Sequence, residues 1–264
     1  MLVCTLGDLL LDVIVRLDSP LERGDDSTAR TTLAPGGQAA NVAAWAAALG
    51  ARARLLAVKS DDDAGRLVSG ELDARGVEAR GPAGSRTGVV VSVVSPDGDR
   101  TMASDRGSAS DLRADDLEAD WFACDALHLS GYSLMRDPIA GAAIRAAVLA
   151  RAAGATVSVD LSSWTHIERF GERMRDALAD VRPDVVLGNE REWDAIGAID
   201  CETRVVKLGS RGVRLDGVEH AALTTEAVDS TGAGDAFAAG FLVGGTTAGL
   251  EAAARCVATV GAMP

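Results

Sequence analysis

The chain has 264 residues, 47% of them apolar and only 3% aromatic, and a formal net charge of −13. That length and apolar content support a substantial core of alanine- and glycine-lined helices on a sheet, and exclude a disordered chain. The negative charge excludes nucleic acid and anionic membrane as expected partners, because each would be repelled.

Cys4, Cys124, Cys201 and Cys256 form no metal-site or redox spacing and read as isolated buried thiols in a reducing cytosol. The N-terminus lacks a basic region, and Asp8 and Asp12 interrupt its apolar run, a pattern that argues against a signal peptide. The uncharged run Ala236 to Leu250 is too short and glycine-rich to span a bilayer. The expected location is therefore cytoplasmic.

In chain order, Leu2 to Leu6 reads as a buried strand ending at Gly7-Asp8, and a carboxylate at a strand's C-terminal end sits where open α/β sheets bind ligands. Asp12 opens the alternating stretch to Leu17. Gly36 and Gly37 precede a helix on which Val42, Trp45 and Leu49 share a face, with Gly50 as its stop. Ala53 to Val58 is a strand followed by Asp61-Asp62-Asp63, a run that reads as a solvated helix start rather than a metal site. Thr87 to Val94 and Arg100 to Met102 read as strands around a Pro96-Asp97-Gly98 turn.

Strands at Ala123 to Ser130 and Thr156 to Val159 flank a helix over Asp137 to Ala152. Tyr132, the only tyrosine, follows the first of them; packing and stacking on a ligand ring are both open to it. Strands at Asp184 to Leu187 and Thr203 to Leu208 end in Asn189-Glu190-Arg191-Glu192 and Gly209-Ser210-Arg211-Gly212. This alternation predicts a mostly parallel sheet covered on both faces.

Near the C-terminus, Asp229-Ser230-Thr231-Gly232-Ala233-Gly234-Asp235-Ala236-Phe237 turns tightly and runs into a helix marked by Phe237, Phe241 and Leu242. Unpaired amides and the helix dipole suit such a junction to an anionic group, and Asp235 in its first turn is placed to take a proton from a hydroxyl. This nonapeptide resembles the C-terminal signature of the ribokinase-like, or PfkB, family of sugar and nucleoside kinases. The Gly36-Gly37-Gln38-Ala39-Ala40-Asn41 segment resembles the family's N-terminal signature, and Asn189-Glu190-Arg191-Glu192 its Asn-x-x-Glu motif.

The resemblance implies one ribokinase-like three-layer α/β/α domain over residues 1–264, with a small β-lid from about residues 12–18 and 86–103 through which two copies could pair. It implies an ATP-dependent kinase that phosphorylates a hydroxymethyl group of a sugar or nucleoside. In that reading Asp235 is the base, and the amides of Gly232, Ala233 and Gly234 form the anion cradle. Asp8, Asp12, Gly36, Gly37, Gln38, Asn41 and Tyr132 surround the acceptor. Asn189, Lys207, Gly209, Ser210, Gly212 and Gly234 line the ATP site. Glu192 serves Mg2+ through water, with Glu190 an alternative that spacing leaves open, and Asp229 would hold a monovalent cation such as K+. Ser162 departs from the family's Asp-x-Asn at that strand end. A non-catalytic sugar or nucleoside binder on the same scaffold is the rival reading.

Overall fold

A computed structural model describes residues 1–97 and 99–264; Gly98 of the expected turn lies outside the described residues. The chain opens with β1 (Leu2–Leu6), β2 (Leu10–Leu17), β3 (Ala29–Gly36), α1 (Gln38–Ala48) and β4 (Arg52–Leu56). The short β5 (Lys59–Ser60), α2 (Asp63–Ala74), β6 (Val77–Arg80) and β7 (Ala83–Gly84) follow. Next come β8 (Gly88–Val94), β9 (Arg100–Asp105), β10 (Ala126–Ser130), α3 (Ile139–Ala152), β11 (Thr156–Asp160) and α4 (Trp164–Val181). The chain ends with β12 (Val185–Asn189), α5 (Glu190–Ile196), β13 (Thr203–Lys207), β14 (Val213–Leu215), β15 (Val218–His220) and α6 (Ala233–Val257).

Nine strands form one sheet in the order β15-β14-β13-β12-β11-β10-β1-β4-β6, parallel from β6 to β13, with an antiparallel hairpin at the far edge. Central strands such as Leu2–Leu6 and Ala126–Ser130 are buried along their whole length, as a sheet covered on both faces requires. One core joins that sheet to α3, α4 and α5 through Leu127, Ile139, Met174 and Trp193. The other joins it to α1, α2 and α6 through Trp45, Leu72 and Phe237. The three-layer α/β/α architecture is the expected one.

Helix α6 has the length and apolar composition of a membrane span. It is broken by non-helical backbone at Gly244 and Gly245, and its first half is buried from Ala236 to Gly240 in the second core. Its partner α1 is alanine-rich, which lets the two approach closely, and Trp45 Nε1 donates to the Ala262 carbonyl at 2.8 Å.

A second sheet, ordered β3-β2-β8-β9, carries the segments expected to form the lid. It contains a third stretch, Ala29–Gly36, that the sequence reading left out: with Pro35 and a mostly exposed face, it is an edge strand without a buried alternation. The acidic run resolves as a helix cap. Asp62 accepts from the Gly65 amide at 2.7 Å and from the Thr87 amide at 2.8 Å, and so ties α2 to the base of β8. Cys4 and Cys124, distant in sequence, bring their thiols together in the first core as free cysteines, where hydrogen bonding to Cys124 and burial push the Cys4 thiol up.

Candidate active site

Five neighbouring parallel strands deliver their C-terminal residues to one edge: Asp8 follows β1, Gly131 follows β10, and Asp160, Asn189 and Lys207 end β11, β12 and β13. This is the edge at which open α/β sheets bind ligands. The loop before α6 closes over it. Gly232 caps α6 in the left-handed region (φ 78°), and Asp235 stands in the helix's first turn. The Ala233 amide turns back to the Ser230 carbonyl at 3.3 Å. Among the described residues, the amides of Gly232, Gly234 and Asp235 have no protein acceptor. The free cradle is therefore Gly232, Gly234 and Asp235, rather than Gly232, Ala233 and Gly234.

Asn41 Nδ2 on α1 donates to Asp235 Oδ2 at 2.7 Å. Burial pushes the Asp235 carboxyl up to about 7, with the Asp160 charge adding to the rise and Asn41, Lys207 and Gln38 opposing it. A carboxyl so tuned can accept a proton near neutral pH. Asn41 Oδ1 is buried without a partner, an acceptor free for a hydroxyl.

Lys207 Nζ reaches past β12 to Asp160 Oδ2 at 2.6 Å. Burial disfavours its charge, but Asp160, Glu192 and Asp235 more than offset that and raise its pKa. A Cβ on Gly234 would lie 3.2 Å from Lys207 Nζ, so the glycine leaves room for an ammonium beside the free amides. Asp160 is fully buried; sequence reasoning passed over it, although it sits at a strand's C-terminal end just as Asp8 does. Nearby, His128 is buried against Ser158, and burial pulls its pKa down to about 4, which makes it a neutral packing residue.

On the acceptor side, a Cβ on Gly37 (φ 103°) would collide with the Asp8 carbonyl at 2.2 Å, and one on Gly36 with the Asp12 carboxyl at 2.3 Å. The glycines let the first loop lie against the start of α1, with Asp8 packed on Gly37 and Asp12 on Gly36. Burial raises the Asp12 carboxyl to about 6. Asp8 pairs with Arg106, whose guanidinium lies 4.7 Å from the Tyr132 ring centre. His166 meets the same ring edge-on at 5.3 Å, so Tyr132 is a packed wall rather than an open stacking face. Gln38 is committed as well: its Oε1 accepts from Ser130 Oγ at 2.6 Å and from Ser162 Oγ.

Asn189 and Glu192 cap α5 reciprocally, Asn189 N to Glu192 Oε2 at 2.7 Å and Glu192 N to Asn189 Oδ1 at 2.9 Å. Burial raises the Glu192 pKa against the pull of Lys207. Glu190 instead points outward and pairs with Arg211 at 2.7 Å, away from the Asn189–Glu192 cap. Gly209 and Ser210 are exposed in the turn after β13 while Gly212 is buried at its end, with the Leu208 amide donating to the Gly212 carbonyl at 2.8 Å.

Asp229 does not present itself to a cation. Its Oδ1 accepts from Thr231 N at 3.0 Å, Thr231 Oγ1 at 2.5 Å and Arg100 at 3.3 Å, and its Oδ2 from Arg16 at 3.1 Å and Gly261 N at 3.2 Å. Five donors saturate this carboxylate, so Asp229, expected to hold K+, anchors two arginines in this structure.

Comparison with known proteins gives the site its context. A family model described as "pfkB family carbohydrate kinase" matches residues 1–263. The chain is 31% identical over 259 residues to the ATP-dependent ribose-1-phosphate kinase of Halopiger xanaduensis, covering 91% of this chain and 83% of the relative. It is 31% identical over 278 residues to the fructokinase of Escherichia coli, covering 94% and 86%. The crystal structure of adenosine kinase from Sinorhizobium meliloti superposes with a TM-score of 0.86 at 26% identity, covering 99% of this chain and 95% of that one.

Proposed function

From the premise that this chain belongs to the pfkB family of carbohydrate kinases, we propose how its site moves the γ-phosphoryl group of ATP onto a hydroxymethyl group of a sugar or nucleoside. The observation that carries the reading is Asp235, held by Asn41, tuned to about 7 and set beside free amides and an ammonium. The acceptor lies between Asp8, Asp12 and Asn41, with Asn41 Oδ1 accepting from one of its hydroxyls. Asp235 takes the proton of the attacking hydroxyl as the new oxygen–phosphorus bond forms and the β–γ bridge breaks.

The amides of Gly232, Gly234 and Asp235, with Lys207, stabilise charge on the transferring oxygens. Each such preset donor is worth on the order of 3 kcal/mol in the transition state. The Gly209–Gly212 turn borders the nucleotide. No group of three metal-ligating side chains occurs among the described residues, which fits magnesium arriving on the nucleotide's phosphates with its waters rather than in a protein cage. Glu192 and Asn189 would hold the waters of such a magnesium ion, which would supply charge neutralisation on the nucleotide's phosphates. The small sheet acts as a lid that keeps water from the phosphoryl group. Pairing of two lids draws support from Leu33 and Met102, exposed on that sheet.

A non-catalytic binder would have no use for a tuned base at a free helix N-terminus. The test is ATP consumption by the wild type and by Asp235→Asn across sugars, sugar phosphates and nucleosides. We expect turnover with at least one acceptor, and a loss on the order of 10³-fold in kcat in the variant with ATP binding retained. A variant that matches the wild type removes Asp235 from this role.

A further inference from the structure

The small sheet touches the anion loop through one carboxylate. In register, Arg16 of β2 stands beside Val94 of β8, and Val94 beside Arg100 of β9, so the two arginines occupy one row across the sheet. They start from backbones two strands apart, about 10 Å. Both nevertheless end on Asp229, whose side chain is 6% exposed. Asp12 lies on the same face of β2, two positions before Ile14 and four before Arg16, and the Arg100 charge moderates the rise of its pKa. This face of the sheet is thus the one turned toward the acceptor.

Asp229 is the hinge between the two sheets. Burial works against its charge, yet the Thr231 hydroxyl, the Thr231 and Gly261 amides and Arg100 hold it down to about 2, so it stays ionised at any working pH. Thr231 is the residue before Gly232, so whatever fixes Asp229 also fixes the start of the amide cradle. A buried carboxylate deprived of its cations would be strongly destabilised, and among the described residues the guanidinium groups of Arg16 and Arg100 pair with it.

We propose that Arg16 and Arg100 form a two-strand latch on Asp229, positioning residues that close the small sheet over the acceptor and set the cradle loop. Their fixed charge, with the Thr231 and Gly261 donors, saturates the Asp229 carboxylate and leaves it no room for a monovalent metal ion, so catalysis needs no such ion there. This rests on the kinase reading of the loop after Asp229.

The experiment uses the full chain as wild type, Arg16→Ala/Arg100→Ala and Arg16→Lys/Arg100→Lys, with thermal melting as the check on folding. Hydrogen exchange is followed in the lid strands, and phosphorylation rates are measured in choline buffer with and without potassium. We expect the wild-type rate to agree within about twofold in the two buffers. The alanine pair should lose on the order of ten- to a hundredfold in kcat, with guanidinium ion restoring part of the loss and the lysine pair falling between. Exchange in residues 10–17 and 88–94 should rise in the alanine pair. A wild-type rate that collapses without potassium overturns the proposal, as does an alanine pair with unchanged exchange. Should the alanine pair fail to fold, Arg100→Gln alone gives the same readouts. Exchange requires no acceptor, so a wild type that phosphorylates nothing defeats the kinase reading while the latch is still judged by its lid protection.

Discussion

The two ends of the site are built differently. At the proposed phosphoryl end, Lys207 pairs with buried Asp160 on the edge of the large sheet, and beside them Asn41 of α1 donates to Asp235 of α6. At the proposed acceptor end, Asp8 after β1 of the large sheet pairs with Arg106 from the loop after β9 of the small one, and Asp12 of β2 lies against Gly36. The first end is preorganised by paired strands of one sheet and by the two helices packed on it. The second depends on how two sheets lie on each other. Chemistry should therefore belong to the first and acceptor recognition to the second, and variants at each end should divide between kcat and KM.

Lys207→Ala tests that division with the largest expected effect. It removes the ammonium beside the cradle and leaves Asp160 buried and unpaired. We expect kcat to fall by about 10²–10³-fold and unfolding stability to fall by about 3–5 kcal/mol, measured by steady-state kinetics and urea melts. Lys207→Met/Asp160→Leu sharpens the test, because an apolar pair of similar bulk should regain stability without regaining rate. Recovery of both would show that Lys207 serves the fold alone.

The same contrast explains what the sequence revealed. The phosphoryl end is carried largely by one contiguous stretch, Asp229 to Phe237, whose glycines and acidic first turn state their geometry locally. Asn189 and Glu192 announce themselves the same way, as a capping pair three residues apart. The strand–helix alternation likewise gave the layers and the parallel sheet. What stayed hidden depends on register between distant segments. Nothing near Arg16 or Arg100 in sequence points to Asp229, and only the pairing of β2, β8 and β9 aligns them. The edge strand Ala29–Gly36 lacks a buried alternation to betray it. Asp160 was legible by the rule applied to Asp8; attention to the departure at Ser162 drew the reading away from it.

The pH profile gives a smaller and more gradual effect at the phosphoryl end. Asp235 has its folded pKa raised from an ordinary value of 3.8 to about 7, and the base role proposed for it requires the ionised form. The rate constant kcat/KM of the free enzyme should thus be level above about pH 8 and fall about tenfold per unit below about pH 6. Stability should run the opposite way. The folded state holds this proton more tightly than the unfolded chain, so the contribution of Asp235 is fully present below about pH 4 and is lost as pH rises through about 7. Asp235→Asn should then raise the melting temperature relative to wild type more at pH 8 than at pH 5. Equal shifts at the two values would mean that the carboxyl is not buried as charge.

Arg106→Ala is the mildest test, and it addresses the acceptor end alone. The guanidinium spans Asp8 and the face of Tyr132, so its loss frees Asp8 to rotate and removes a wall of the pocket without touching the cradle. The Asp8 carboxyl is 7% exposed and would be left without its cation, so some local relaxation should accompany the change. We expect KM for the acceptor to rise about tenfold, KM for ATP to stay within about twofold and kcat to hold. Arg106→Lys should recover little, since an ammonium cannot pair with Asp8 and lie flat on the ring at once. Equal losses in kcat and in both KM values would mean that the two ends share one rigid network, and that the small sheet contributes to chemistry as directly as the large one does.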